Sequence, residues 1–256
     1  MTDLHYLDPN PSGSPGVLLL HGLGANGASW TLQFDPLLKA GFRPLAPDAP
    51  GFGDSPYDGK GWSIPRAAKS TAEFLQKMNV VPSHVVGISM GGTIAQQLTL
   101  DFPQWVRKLV LVNTFSLLRP KRLSGWFYFL QRFILVHSLG LPTQAKFVSR
   151  RIFPQEDQQV LRDLLIDQIS KTDPRAYRAA MRSLGLFNSS KRLSEIKIPT
   201  LIVTSEWDTT VPLESQRLLA ERINGAQQVV IPGAGHAVSV DQPEQFNKVL
   251  LDFLRD

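Results

Sequence analysis

Short apolar runs alternate with helical patterns through both ends of this 256-residue chain, and the alternation stops between 116 and 188. Val17-Leu18-Leu19-Leu20, the stretch 42–46, His84-Val85-Val86, Leu109-Val110-Leu111-Val112, Leu201-Ile202-Val203 and Val229-Val230-Ile231 read as strands. Helical patterns follow from near Ser29, Ser63, Met90, Leu213 and Glu244, with Ser63 placed to cap its helix. Strands that are apolar at consecutive positions must be covered on both faces, and a helix between successive strands makes them parallel. The expected class is therefore α/β: a mostly parallel central sheet with helices on both faces. Residues 1–115 and 189–256 form its core, and 116–188 is a helical insertion. No repeat and no low-complexity stretch interrupts this order.

Composition removes several chemistries. The chain has no cysteine, which excludes a disulfide scaffold, thiolate zinc or iron–sulfur sites and a thiol nucleophile. Its first residues, Met1-Thr2-Asp3-Leu4-His5, lack the basic and apolar regions of a signal peptide. No stretch approaches the roughly 18 apolar residues that span a bilayer. The expectation is a cytoplasmic protein without a transmembrane segment. No helix-turn-helix, zinc-finger or aromatic RNA-binding signature is present, so no nucleic-acid partner is expected.

Gly87-Ile88-Ser89-Met90-Gly91 is a G-x-S-x-G sequence lying directly after a strand and before a helix. A serine on so sharp a turn is raised above the carboxyl edge of the sheet, and residues two before and two after it must be small for the chain to close. The helix N-terminus beneath it favours developing negative charge. Such a hydroxyl needs a base, and the base needs an orienting carboxylate. His236 and Asp208 both follow strands, so both stand at the edge that carries Ser89. Glu206 and Asp241 are rival acids. A tetrahedral intermediate needs two donors, and the backbone amides of Leu23 and Met90 are the candidates for this oxyanion hole. His21, also at a strand end, reads as a brace for its loop; His5, His84 and His137 read as core or surface residues. Neither a cofactor nor a metal is expected.

Gly22-Leu23-Gly24-Ala25-Asn26-Gly27 matches the G-x-G-x-x-G of dinucleotide-binding folds. A pyrophosphate there requires the helix to open within the glycines, whereas the helical pattern starts near Ser29, and Asp48 sits in a turn between prolines. The dinucleotide reading is set aside.

Taken together, His21-Gly22-Leu23-Gly24, Asp48-Ala49-Pro50-Gly51-Phe52-Gly53-Asp54-Ser55, Gly87-Ile88-Ser89-Met90-Gly91-Gly92, Asp208-Thr209-Thr210-Val211-Pro212 and Gly235-His236 resemble the α/β-hydrolase superfamily. The likeness is to its small esterase-like branch, in which a helical cap is inserted after the sixth sheet strand. Carboxylesterases, enol-lactonases and pimeloyl-carrier methyl ester esterases are of this kind. The resemblance implies a Ser89–Asp208–His236 triad in the family's chain order. Two departures stand out: Ser205 replaces a glycine usual in the acid loop, and only about 16 residues precede the first core strand.

Within that likeness, Ser89 argues against dehalogenases and epoxide hydrolases, whose nucleophile is aspartate. Asn113, at a strand end where some relatives place the acid, favours Asp208. No lysine lies between Glu206 and His236, unlike hydroxynitrile lyases. What remains is a serine hydrolase of carboxylic esters. Lactonase, thioesterase, acyl-carrier methyl ester esterase, C–C bond hydrolase and perhydrolase activities are alternatives on the same residues, and a low-turnover ligand receptor is an alternative of another class.

The stretch 116–192 carries 14 Lys and Arg against 5 Asp and Glu, although the whole chain is only +5. Two readings of this block stand side by side: a solvated basic face, or a docking patch including Arg119, Lys121, Arg122, Arg150, Arg151, Arg175, Arg178 and Arg182. The resemblance implies an acidic carrier protein as one partner for such a patch, and an anionic lipid surface is a second. The aromatics of 126–133, from Trp126 to Phe133, are expected either to line an acyl pocket or to pack as core.

Overall fold

The computed structural model describes residues 3–118 and 123–256, without the side chains of Ser124, Gly125, Trp126 and Phe129. Arg119, Lys121 and Arg122 lie outside the described residues, as does the Trp126 side chain. Strands β1 (Tyr6–Leu7), β2 (Gly16–Leu20), β3 (Arg43–Pro47), β4 (Ser83–Ile88), β5 (Val106–Val112), β6 (Thr200–Ser205) and β7 (Gln227–Ile231) form one sheet in the order β1-β3-β2-β4-β5-β6-β7. All neighbours are parallel except β1, which pairs antiparallel with β3 through Tyr6–Pro47 and Leu7–Ala46. β1 is a two-residue strand at the edge of the sheet.

Every residue of β2, β3, β4 and β6 is buried. Alternate side chains serve opposite faces, as the period of a strand requires. Leu18, Leu20, Val85, Leu109, Leu111 and Ile202 enter a core shared with α2 (Ile64–Lys77), α3 (Met90–Asp101) and α8 (Leu213–Arg222). Val17, Leu19, Val86, Val110, Val112 and Val203 enter the other, with Leu37 of α1 (Thr31–Lys39) and Phe246, Leu250 and Phe253 of α10 (Pro243–Arg255). Ser63 caps α2 by accepting from the Arg66 amide at 3.3 Å.

Between β5 and β6 the chain is helical: α4 (Leu123–Ile134), a π-turn at Leu135–Leu139, α5 (Gly140–Ile152), α6 (Gln159–Lys171) and α7 (Pro174–Leu186). A single antiparallel bridge, Leu117–Asn188, ties the two ends of this segment together. The segment follows the fifth strand of this chain, not a sixth, because only β1 precedes the parallel set. Its α7 packs into the main core through Ala176, Tyr177, Ala180 and Leu184. The last helices are α9 (Val238–Asp241) and α10. Among the described residues, no helix is long and apolar enough to cross a membrane.

Candidate active site

Ser89 joins β4 to α3 with φ of 54°, the left-handed region that side chains avoid. Its amide donates to Val112 O at 3.0 Å, and its own carbonyl accepts from Thr114 Oγ1 at 2.7 Å and the Thr93 amide at 3.2 Å. The flanking glycines are required by contact. A Cβ on Gly87 would collide with the Gly91 carbonyl, and one on Gly91 would collide with the Leu20 carbonyl. The strained turn is thus clamped between β2, β4 and β5.

His236, in the loop after β7, directs Nδ1 at both carboxylate oxygens of Asp208, at 3.1 and 3.0 Å. The Asp208 side chain is 1% exposed. Its Oδ1 also accepts from the amides of Thr210 (2.7 Å) and Val211 (3.0 Å), and its Oδ2 from Gln216 Nε2 at 3.3 Å. A carboxylate only accepts, so the imidazole proton belongs on Nδ1 and the lone pair on Nε2. Ser89, His236 and Leu23 all line one cavity of about 490 Å³, and Met90 is the first residue of α3. The structure therefore brings the five residues singled out in the sequence to one place.

The rival acids are engaged elsewhere. Glu206 accepts from the Gly233 amide at 2.9 Å, and Asp241 from the Gly235 amide at 2.8 Å. Burial pushes the Asp241 carboxyl above its ordinary range. His21 is buried; its Nε2 accepts from the Ala49 amide at 2.9 Å and its Nδ1 donates to Gly22 O at 2.8 Å. That is the loop brace read from the sequence, and burial lowers its basicity. Asp48 spends its oxygens on Gly27 N (2.7 Å), Asp54 N (3.0 Å) and His5 Nδ1 (2.8 Å). It holds together the loop that the dinucleotide motif would have needed open. His5, Asp48 and Asp54 approach closely enough to share a metal ion, but the Asp48 carboxylate already carries these bonds.

In the sequence, Asn113 marks only a strand end without an acid. Its φ is 43°, and its side chain joins the two loops of the site. Oδ1 accepts from the Ser205 amide at 2.9 Å; Nδ2 donates to Ser205 Oγ and His236 O, each at 2.8 Å. Ser205, the unusual residue of the acid loop, is one half of this clasp. No sequence pattern gives these contacts, because the partners are about 90 to 120 residues away.

The helical segment covers the cavity with Tyr128, Arg132, Val148, Phe153, Leu161 and Leu165. Among the described side chains of the expected aromatic stretch, Tyr128 lines it. Phe127 and Phe133 are exposed, so for these two neither the pocket nor the core expectation holds. The basic residues are also dispersed: Arg175 is paired with Asp173 at 2.6 Å, and Arg151 lies over the Tyr128 ring at 4.1 Å.

A model of the alpha/beta hydrolase family matches residues 17–249. A protein named as carbamate hydrolase RutD, from Variovorax paradoxus, is 33% identical over 98% of this chain and 96% of its own length. A pimeloyl-[acyl-carrier protein] methyl ester esterase from Aeromonas hydrophila is 29% identical over 94% of this chain and 95% of its own. The enol-lactonase of Burkholderia xenovorans, 23% identical, superposes over 100% of this chain and 97% of its own with a TM-score of 0.91. With the sheet order, the sharp serine turn and the family match in agreement, this chain belongs to the alpha/beta hydrolase family.

Proposed function

We propose that the protein is a serine hydrolase acting on carboxylic esters through an acyl-enzyme on Ser89. The observation that carries this reading is His236 Nδ1 held between both oxygens of a buried Asp208 in the wall that also presents Ser89. In this mechanism Nε2 of His236 takes the Ser89 proton as Oγ attacks the acyl carbon. The Leu23 and Met90 amides donate to the oxyanion, and the imidazolium then protonates the leaving alcohol. Water repeats the sequence to release the acid. Asp208 fixes the tautomer and stabilises the imidazolium. The helical segment 116–188 acts as a cap that walls the acyl pocket with apolar side chains, and so keeps bulk water from the acyl-enzyme. The same residues would cleave a lactone, thioester or carbamate.

The test is hydrolysis of p-nitrophenyl acetate and butyrate by the wild type and Ser89→Ala. The expected loss in kcat is about four to six orders of magnitude with the fold retained. A folded Ser89→Ala protein keeping a tenth of the activity defeats the mechanism. A wild type that binds esters without turning them over points instead to a ligand receptor on the same fold.

A second reading concerns how substrate arrives. The cap is basic, and α4 exposes Leu123, Phe127, Leu130 and Ile134 at helical spacing. An acyl group delivered by an acidic carrier protein would meet both features. Such a substrate should lose kcat/KM steeply as salt shortens the screening length, while a neutral p-nitrophenyl ester stays constant. Equal salt dependence for both removes the carrier.

A further inference from the structure

We infer that Arg132 is the receptor for an anionic group on the substrate, so that the preferred ester carries a carboxylate on its acyl part. The inference rests on the serine-hydrolase reading for the reaction, but the binding it describes stands on Arg132 alone.

Arg132 lies on α4, is 8% exposed and forms part of the wall of the cavity that contains Ser89 and His236. A guanidinium cannot shed its charge on burial, so its surroundings must answer the charge. Here they are neutral. Nη2 donates to the Tyr177 hydroxyl at 3.0 Å. The Gln144 amide, oriented with its oxygen toward the guanidinium, accepts from Nε at 2.8 Å and from Nη2 at 3.2 Å. The Tyr128 hydroxyl is a further neutral partner. No ion pair joins Arg132 to any carboxylate of the described residues.

The same protein shows how it treats a buried arginine that has only a structural task. Arg43, 7% exposed, is met by Asp8 through three contacts: Nη2 to Oδ2 at 2.6 Å and Nε to both oxygens at 3.2 Å. Arg132 has equal burial and no such acid. A buried charge whose partners are all neutral is costly. Tyr177 and Gln144, both fully buried, nonetheless hold the guanidinium in position. The cap wall is otherwise mostly apolar, with Val148, Phe153, Leu161 and Leu165, and besides Tyr128 and Gln168, which are neutral, Arg132 is its one charged group among the described residues. With Nε and Nη2 turned to Gln144 and Tyr177, the remaining N–H donors of the guanidinium suit an anionic oxygen, and a carboxylate is the one that the acyl part of an ester readily carries. The missing counter-charge would therefore enter with the substrate, and its carboxylate would set the ester against Ser89.

The experiment compares mono-p-nitrophenyl esters of C4 to C8 dicarboxylic acids with p-nitrophenyl alkanoates of matched length. The wild type should favour one length of the anionic series over its neutral counterpart by about 100-fold in kcat/KM. In Arg132→Met that ratio should fall to near one, while in Lys69→Gln, which removes an exposed charge from α2, it should persist. Calorimetry with Ser89→Ala and the corresponding monomethyl ester reads binding without turnover, and the double variant Ser89→Ala/Arg132→Met should lose it. Thermal melting adds a control. Replacing an unanswered buried charge by an apolar side chain should leave the ligand-free melting temperature level or higher, whereas a purely structural arginine would lower it. If the ratio is unchanged in Arg132→Met, or the wild type shows no preference, the inference is overturned while the serine chemistry stands. If Ser89→Ala still turns over, the reaction reading fails and the calorimetry still decides the role of Arg132.

Discussion

At the level of single residues, the arrangement around His236 separates three acids that the sequence left in competition. Asp208 alone meets the ring among Asp208, Glu206 and Asp241, and three further donors fix its carboxylate. On the proposed mechanism, Asp208→Asn should lower kcat by about three to four orders of magnitude, since an amide would turn the imidazole to the wrong tautomer. Glu206→Gln should cost less than tenfold, because Glu206 bonds only the Gly233 amide. Steady-state kinetics on one p-nitrophenyl ester read both values, and a reversed order would move the acid two residues upstream. The motif and the strand-end position made Ser89, Asp208 and His236 visible in the sequence. Asn113 was not visible, because its role comes from reaching Ser205 and His236 at once, which only the closed sheet permits.

At the level of elements, the strands and the helices that pack on them were legible because their residues obey simple periods. Alternate buried residues of β2 and β6, and of β5 from Leu109 on, divide between two cores, and the cap of α2 falls on Ser63 as its spacing indicates. The G-x-S-x-G sequence was legible for a different reason: Gly87 and Gly91 are forced by carbonyl oxygens of Gly91 and Leu20, a backbone crowding that any serine turn of this kind shares. The helical segment was harder to read. An apolar face on α4 gives the same pattern whether it meets a core, a pocket or solvent. Leu123, Phe127, Leu130 and Phe133 in fact face outward. The cap's share of the pocket wall, among the described side chains, comes mainly from aliphatic residues of α5 and α6, together with Phe153, Tyr128 and Arg132.

For the molecule as a whole, composition gave the charge but not how the fold distributes its cost. One strain on ionisation lies away from the cavity, at His84 in β4. This residue is 5% exposed, its Nδ1 has no hydrogen-bond partner, and its ring stands edge-on to Phe42 at 5.6 Å. Burial, with Lys108 and Arg107 of the neighbouring β5 adding repulsion, pushes its pKa down to about 4 from an ordinary 6.5. A depressed histidine pKa in the folded state means that the unfolded chain binds the proton first. The stabilising contribution is complete above pH 6.5 and is lost as pH falls toward 4. A shift of that size is worth about 2 to 3 kcal/mol at the acid end of the window, and buried His21 adds to it with the same sign. In a domain of this length, that should lower the melting temperature by about 4–10 °C between pH 7 and pH 4.5 from His84 alone. His84→Gln cannot take up the proton, so its melting temperature should start lower at pH 7 and fall less steeply with acid. The measurement is a pair of calorimetric melting curves across that range. Parallel decline in the two proteins would assign the acid sensitivity to groups other than His84, the buried His21 among them.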